Sequence, residues 1–228
     1  MSTEMDDFIR KVAAKDAALK QKSAEWLFAR VGYVTCSRFV AVIAKTKAGK
    51  PTAEREKYLW ELVVERITGK PTDHFTNSAM MWGTEQEPLS RMAYESATGS
   101  LVEETGFSHH PTIAFVGGSC DGLIGEDGVF ESKSPFNSAI HLQTVLGGMP
   151  EDHMPQVQGL LWVTSRQWCD FQSYDGRLPE PLCRYVQRVP RDDAYIAALE
   201  KEVIAFSAEV AAMTKTLADR IPSPRPEE

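Results

Sequence analysis

The chain has 228 residues, of which 43% are hydrophobic and 25% are charged, the proportions of an ordinary globular protein. Its 25 basic and 32 acidic residues give a net charge of −7. This balance counts against a protein that coats nucleic acid, because such proteins neutralise phosphates with surplus Lys and Arg. It leaves room for an enzyme with a local basic channel, since bound cations can supply positive charge at the site itself.

The cysteines and the first residues of the chain indicate its cellular compartment. Four cysteines are scattered without a C-x-x-C pair, which predicts neither a zinc site nor an iron–sulfur cluster and favours a reducing compartment. Residues 1–7 are polar and acidic, unlike a secretory signal. No apolar run approaches the roughly 20 residues that span a bilayer. We therefore expect a cytoplasmic protein with no membrane partner.

The first half of the chain predicts helices. Apolar residues recur at helical spacing in residues 6–20, 23–30 and 37–44. Two longer helices are predicted over residues 53–68 and 78–98, because each pattern stops at a glycine.

The second half alternates between strands and helices. Short runs separated by Gly and Asp predict strands at residues 101–103, 112–116, 122–124 and 129–133. Helices are predicted at residues 137–146, 151–163 and 192–217, and further strands at residues 168–174 and 184–188. This order predicts an α/β (α+β) fold, a single domain over residues 1–221 with a central mixed sheet flanked by helices. The Pro-rich end, residues 222–228, predicts a disordered tail.

The most informative segment, residues 119–133, has the pattern of a β-hairpin whose turn is rich in Gly and Asp. Asp121 stands on the first arm. On the second arm, the two-residue period of a strand places Glu131 and Lys133 on one face, and the hairpin can bring Asp121 beside them. An E-x-K on a strand is most often a solvated charge pair, and an Asp before a Gly is most often a turn. The three residues in this order favour a functional site.

Two carboxylates and an amine at this spacing suit metal-assisted hydrolysis of a phosphodiester. Mg²⁺ prefers hard oxygen ligands and shares them between a few carboxylates, water and substrate phosphate. A bound metal ion polarises the phosphoryl oxygen and lowers the pKa of water. Lys133 can orient the attacking water and offset charge on the phosphorus. The hairpin therefore predicts a nuclease.

The segment from Asp121 to Pro135 resembles the PD-(D/E)XK nuclease core, and in detail the lambda-exonuclease or YqaJ-like viral recombinase family. Three further segments resemble motifs of that family in the same order. They are R-V-G-Y-V-T-C-S at residues 30–37, W-G-T-E-Q-E at residues 82–87 and the Q-V-Q helix within residues 154–164. The resemblance covers residues 26–164, well over half of the chain.

The resemblance implies a metal site. Asp121 and Glu131 would be the principal ligands of Mg²⁺, with two ions expected and Mn²⁺ as a substitute, helped by the backbone carbonyl of Ser132. Glu87 would complete the set from its helix. Glu85 is the competing carboxylate, but two residues apart on a helix the two side chains face different ways. The catalytic residues implied are Asp121, Glu131, Lys133, Glu87 and Gln156.

Other matching positions imply contacts to DNA. Arg30, Ser37 and Ser119 align with residues that bind the terminal phosphate or flank the active site, which suits the planar guanidinium of an arginine. Ser37 could instead cap a helix. Lys47, in a short basic loop, would enter the duplex groove, unless that loop is only a solvated surface. Met80 would be an apolar wedge that splits the duplex end, although core packing is the commoner fate of a methionine.

The family further implies an activity and an assembly. The activity is that of a 5′-to-3′ exonuclease, which degrades one strand of double-stranded DNA from a 5′-phosphorylated end to mononucleotides and leaves a 3′ overhang. The assembly is a homotrimeric ring with a single-strand annealing partner, encoded by a phage or prophage and acting in a bacterial host. A ring would retain DNA without a broad basic surface, consistent with the acidic total. The alternatives are a restriction-type endonuclease with the same core and a non-catalytic DNA-binding protein.

Overall fold

In the computed structural model, which describes residues 11–72 and 77–221, the first helical segment covers residues 11–17. The α-helices that follow are α1 (Ala24–Ala29), α2 (Phe39–Ile43), α3 (Ala53–Thr68), α4 (Ser78–Thr98), α5 (Ser138–Gly147), α6 (Met154–Thr164) and α7 (Asp193–Ala218). Short 3₁₀ turns at Cys36–Arg38 and Glu151–His153 lead into α2 and α6. The helices predicted from the sequence are present. Residues 6–10 of the first one lie outside the described residues, as does the predicted tail.

Local sequence signals set the ends of the two long helices that precede the hairpin. Thr52 and Asn77 cap α3 and α4, because each side-chain oxygen accepts the backbone N–H of the residue three positions further on. Gly69 and Gly99 end the same helices with φ of 65° and 70°. These are left-handed values that glycine adopts without steric cost. Caps of this kind explain why the boundaries of both helices could be predicted.

The strands of the described residues form two sheets. The first holds β1 (Val34–Thr35), β2 (Ser108–His109) and β3 (Val116–Gly118) in the order β1-β3-β2. The second holds β4 (Gly122–Ile124), β5 (Gly128–Lys133), β6 (Trp168–Tyr174) and β7 (Arg184–Pro190) in the order β4-β5-β6-β7. β1 pairs in parallel with β3, and β5 with β6, whereas the other neighbours are antiparallel. The predicted α/β fold with a mixed sheet and flanking helices is confirmed, with the sheet divided in two.

Two of the predicted strands are wrong. Residues 112–115 form a turn, because the Nδ1 of His110 accepts two backbone N–H groups of that turn at 3.2 and 3.0 Å and Phe115 has a φ of 59°. Residues 101–103 contribute a single bridge rather than a strand. Conversely, β1 and β2 escape prediction, because a strand of two residues is too short to show a period.

The main apolar core joins α2, α3, α6 and α7 to both sheets. Phe39, Leu160 and Phe206 at its centre are fully buried. Every residue of α6 from Val157 to Val163 is buried, so the helix that carries Gln156 is held on almost all sides. No helix within the described residues is long and apolar enough to cross a membrane.

Replacing Gly159 by alanine is expected to destabilise the protein. A Cβ at this position of α6 would lie 2.6 Å from two ring carbons of the buried Phe39. This distance is too short for a van der Waals contact, so α6 or the ring of Phe39 would have to shift. Overpacking of this kind costs about 1–3 kcal/mol, which urea unfolding would measure. Gly147→Ala is the control, because nothing lies within 4 Å of its added Cβ and its effect should stay within about 0.5 kcal/mol. Equal stability of the two variants would contradict the packing of α6 against α2.

Candidate active site

The hairpin of β4 and β5 carries the predicted carboxylates and lysine. Asp121 directly precedes β4, and Glu131, Ser132 and Lys133 are the last residues of β5. The Oδ2 of Asp121 accepts the backbone N–H of Ser132 at 2.7 Å, which ties the two arms together at the site. The structure therefore places Asp121 beside the strand end that carries Glu131 and Lys133, as the sequence predicts.

Glu131 is the centre of the site and is only 2% exposed. Its Oε1 accepts hydrogen bonds from the Nζ of Lys133 at 2.5 Å and from the Nε2 of Gln156 at 2.6 Å. Its Oε2 is buried and has no hydrogen-bond partner within the described part of the chain. α6 thus brings Gln156 to the hairpin and completes a shell around one oxygen of Glu131, while the other oxygen remains unsatisfied.

Negative charge is concentrated at this point. Burial raises the pKa of Asp121 well above its ordinary value, and the charge of Glu131 raises it further, against a lowering by Lys133. Burial, Glu131 and Asp121 likewise raise the pKa of the Cys120 thiol to about 12. For Lys133, burial by itself lowers the pKa, but Glu131 and Asp121 outweigh it and the pKa is raised. The ammonium group of Lys133 therefore keeps its charge at neutral pH and can act as a hydrogen-bond donor, not as a base.

The donor set fits a divalent cation. A buried carboxylate oxygen without a partner, as on Glu131, is costly unless a cation or a donor completes it. Asp121 supplies a second carboxylate beside it, and hard oxygen ligands of this kind are what Mg²⁺ prefers. Asp121, Glu131 and the backbone carbonyl of Ser132 are the groups that would hold the ion.

Glu87 approaches the same site from α4. Its negative charge contributes to the raised pKa of Asp121, so it lies within electrostatic range. Its Oε2 is ion-paired with Lys22, and no three His, Cys, Asp or Glu side chains of the described residues stand ready as a metal-binding cluster. Glu85, the competing carboxylate, is exposed and lines a groove. The two glutamates thus face different ways, as the helical spacing predicts.

A groove of about 800 Å³ runs beside the site between α1 and α4. Met80, predicted as a wedge, lies in its wall with 50% of its surface exposed and is not a core residue. Arg30 also lines the groove, and the Nε of this arginine is buried with no hydrogen-bond partner among the described residues. Arg30 lines in addition a smaller cavity of about 130 Å³ that Ser37 shares. The structure therefore brings Arg30 and Ser37 to one cavity at the edge of the groove.

Trp26 connects this groove to the hairpin, and sequence reasoning assigned it no role. The guanidinium of Arg30 lies 4.0 Å from the centre of the indole ring. The Nε1 of Trp26 donates to the Oγ of Ser119 at 3.0 Å, and Ser119 is two residues before Asp121. Trp26 begins the range that the resemblance covers, four residues before the first matching motif. A contact across 93 residues, however, cannot be predicted from local spacing.

Ser37 and Lys47 have simpler surroundings. Ser37 lies within the 3₁₀ turn Cys36–Arg38 and is exposed. It caps no helix, so the capping alternative is wrong. Lys47 is exposed in a turn between α2 and α3, where the side chain is free to meet a ligand or the solvent.

Arg177 holds the loop after Lys133 by contacts that the sequence did not predict. An amino group of Arg177 donates to the carbonyls of Pro135 at 3.3 Å and Phe136 at 3.1 Å. The same guanidinium lies 4.3 Å from the ring centre of Trp82 on α4. Trp82 thus supports the segment that follows β5, which gives the W-G motif a structural meaning.

Comparisons with known proteins identify the family and the fold. The YqaJ-like viral recombinase domain matches residues 25–167. A crystal structure of the alkaline exonuclease LHK-Exo from Laribacter hongkongensis is 43% identical, with a TM-score of 0.80, and covers 87% of this chain and 97% of that one. LHK-Exo in complex with dAMP gives the same identity and coverage and a TM-score of 0.81. None of the curated protein sequences matches the chain significantly.

A more distant structure shares the fold alone. The phage-related exonuclease from Haemophilus somnus 129PT is 15% identical, with a TM-score of 0.66, and covers 81% of this chain and 96% of that one. The mixed sheets, the surrounding helices and the carboxylate–lysine hairpin define a protein of the alkaline-exonuclease fold. The chain belongs to the YqaJ-like viral recombinase family.

Proposed function

We propose that this protein is a magnesium-dependent 5′-to-3′ exonuclease that degrades one strand of double-stranded DNA to mononucleotides. The observation that carries the proposal is the unsatisfied, buried Oε2 of Glu131 beside Asp121 and the charged Lys133. A nuclease function in general is supported by the family and by the exonuclease relatives. Release of mononucleotides is supported by the dAMP bound to LHK-Exo.

Each residue of the site has a role in this proposal. Asp121, Glu131 and the carbonyl of Ser132 would hold Mg²⁺, with Mn²⁺ as a substitute. Glu87, which is ion-paired with Lys22, would be the further ligand. When bound, the metal ions supply positive charge that polarises the phosphate and makes water more acidic. Lys133 stays protonated and donates a hydrogen bond that orients the attacking water. Gln156 holds Glu131 by the hydrogen bond from its Nε2 to Oε1, which would leave Oε2 available to a metal ion.

The groove and cavity supply the features that select a DNA end. Arg30 and Ser37 bind the 5′-phosphate in the small cavity, with Ser119 fixing Trp26 beneath the guanidinium of Arg30. The exposed Met80 separates the terminal base pair. Lys47 contacts the duplex further along. A guanidinium presents paired donors that match a phosphate.

The family resemblance supports the remaining parts of the proposal. The protein would form a homotrimeric ring around DNA and hand the 3′ overhang to a single-strand annealing protein in the cytoplasm of a bacterial host. Mass measurement under native conditions tests the ring, and an observed monomer would refute it.

The activity is tested on a linear duplex labelled at either end, with and without a 5′-phosphate. Progressive release of mononucleotides from the 5′-phosphorylated strand in Mg²⁺, absent with a chelator, is the expected result. Glu131→Gln keeps the shape of the side chain but not its charge and should be inactive. Covalently closed circular DNA is the control, because an exonuclease needs an end.

Other outcomes would favour the alternatives. Nicking of the closed circle or discrete internal fragments would identify a restriction-type endonuclease. Binding of DNA without any metal-dependent cleavage would identify a non-catalytic DNA-binding protein.

Arg30→Ala is expected to remove the preference for 5′-phosphorylated ends. Hydrogen bonds to a charged group contribute about 1.5–3 kcal/mol, so the rate on phosphorylated ends should fall about 10- to 100-fold. The rate on 5′-hydroxyl ends should change little, because Arg30 has no anion to bind there. Arg55→Ala is the control, since Arg55 pairs with Glu209 on α7 and lines neither the groove nor the small cavity. A uniform loss of rate on both kinds of end would contradict a phosphate contact.

A further inference from the structure

A buried polar network joins α4, β5 and β6 behind the metal-binding face of the hairpin. Ser90 on α4 and Gln172 on β6 are both fully buried. The Nε2 of Gln172 donates to the carbonyl of Ser90 at 2.7 Å and to its Oγ at 2.6 Å. Ser90 Oγ lies 2.5 Å from the Oγ of Ser132. The network therefore reaches Ser132, the residue whose carbonyl is proposed as a metal ligand.

Two hydrogen bonds connect Gln172 to Ser90. Gln172 donates both of its amide hydrogens to Ser90, so the hydroxyl oxygen of Ser90 accepts. The hydroxyl groups of Ser90 and Ser132 then share a hydrogen bond in which either one can be the donor, because a hydroxyl oxygen can accept two hydrogen bonds. The backbone N–H of Ser132 in turn donates to Asp121 at 2.7 Å. A continuous chain of hydrogen bonds thus runs from β6 through α4 to the carboxylate of Asp121.

The same network also bears on Glu87. Ser90 is three residues after Glu87, and residues three apart lie on the same side of a helix. Pro88 stands between them inside α4, and a proline removes one backbone hydrogen bond of the helix. The helix is therefore less constrained by its own backbone at this turn, so the bonds from Ser90 to β5 and β6 set where the turn that carries Glu87 lies.

The network is not one that stability alone would favour. The Oε1 of Gln172 is buried without a hydrogen-bond partner within the described residues. A buried polar atom left unpaired costs free energy that an apolar contact would avoid. One turn further along α4, Tyr94 donates to Asp170 at 2.6 Å, and Asp170 also accepts two bonds from Arg188 at 2.8 Å each. This second link joins the same helix to the same strand with both carboxylate oxygens bonded, and it does not touch Ser132.

We propose that Ser90 and Gln172 are positioning residues that set the distance between Glu87 on α4 and the Asp121–Ser132 pair on the hairpin, and so tune the affinity for the divalent metal. The inference rests on the proposed function, because it takes these groups as the metal ligands. Residues behind metal ligands that orient them commonly change metal affinity or activity 10- to 100-fold when they are removed.

The test is a calorimetric titration of Mn²⁺ into the full-length protein without DNA. Ser90→Ala and Ser132→Ala should each bind Mn²⁺ about 10-fold more weakly or worse. The double variant should be no weaker than the worse single one, because both substitutions break one chain of bonds. Tyr94→Phe is the matched control and should stay within about twofold of the wild type.

A second readout separates positioning from general damage to the fold. The Mg²⁺ concentration for half-maximal cleavage should rise in Ser90→Ala, while the rate at saturating Mg²⁺ should stay within about threefold of the wild type. Should Ser90→Ala fail to fold, Ser132→Ala at the more accessible end of the network carries the test.

The outcomes distinguish this inference from the proposed function. Wild-type affinity in folded Ser90→Ala and Ser132→Ala would overturn the positioning role and leave the nuclease proposal intact. Equal weakening in Tyr94→Phe would also overturn it, because general packing of α4 would then explain the effect. A wild-type protein that binds Mn²⁺ no better than Asp121→Asn would overturn both.

Discussion

Asp121→Asn is expected to make the metal-free protein more stable while abolishing cleavage of DNA. The ionised carboxyl of Asp121 is disfavoured by burial and by Glu131, so replacing it by a neutral amide relieves repulsion. The Oδ1 of the asparagine can still accept the N–H of Ser132. A gain of about 1 kcal/mol is expected, and in a chain of this length it would raise Tm by about 2–4 °C.

The size of the stability gain in Asp121→Asn depends on pH. A carboxyl whose pKa is raised by folding weakens the fold when it is ionised and not when it is protonated. The advantage of Asp121→Asn should therefore be present at neutral pH and disappear in acid, below the ordinary Asp value of 3.8, where the carboxyl is protonated in both states. Cleavage should fall about 10³-fold or more, since a charged ligand is lost.

Asp170→Asn is the matched control for this experiment. Asp170 is also a buried aspartate, but it accepts two hydrogen bonds from Arg188 and one from Tyr94. Its replacement should lower stability by about 1–3 kcal/mol, because a satisfied pair is broken. Thermal unfolding of both variants in a chelator measures the difference. A loss of stability in Asp121→Asn would refute the view that the site is strained by unpaired negative charge.

Lys133→Met is expected to make the protein less stable, unlike Asp121→Asn, and to reduce cleavage of DNA strongly, as Asp121→Asn does. The ammonium group is the cation that offsets Glu131 and Asp121, so its removal leaves two neighbouring carboxylates unbalanced. Breaking a buried pair costs about 3–5 kcal/mol, and since 31% of the Lys133 side chain is exposed we expect about 1–3 kcal/mol here. Cleavage should fall about 10²- to 10⁴-fold, the range for losing a residue that handles the attacking water.

Metal binding should nevertheless survive in Lys133→Met. Removing the ammonium frees Oε1 of Glu131 from a competing cation, so Mn²⁺ should bind at least as tightly as in the wild type. Mg²⁺ should therefore raise the Tm of this variant by more than it raises that of the wild type. Lys215→Met is the control, because Lys215 sits in an exposed pair with Asp219 and should change stability by less than about 0.5 kcal/mol. Loss of metal binding in Lys133→Met would mean that Lys133 shapes the metal site and does not only donate to water.

Much of the site could be predicted because its signals are local. Asp121, Glu131 and Lys133 lie within one hairpin, and the two-residue period of a strand determines which side chains share a face. The side-chain caps Thr52 and Asn77 act within a single helical turn. Such features depend on neighbours in the chain, which the sequence displays directly.

The rest depends on contacts between residues far apart in sequence. The two-residue strands β1 and β2 exist only because they pair with β3, and in β1 that partner is 82 positions away (Val34 with Val116). The pairing of Glu87 with Lys22, and of Ser119 with Trp26, likewise joins segments separated by 65 and 93 residues.

By itself the sequence determined the fold class, the hairpin that carries Asp121, Glu131 and Lys133, and the boundaries of α3 and α4, because periodicity, caps and turn residues act over a few positions. Only the tertiary structure decided that one oxygen of Glu131 has no hydrogen-bond partner in the described part of the chain, and that Ser90 and Gln172 lie behind Ser132. Serine and glutamine in helices and strands carry no distinctive spacing. Their role arises when packing removes water and leaves each buried donor to find a partner within the protein.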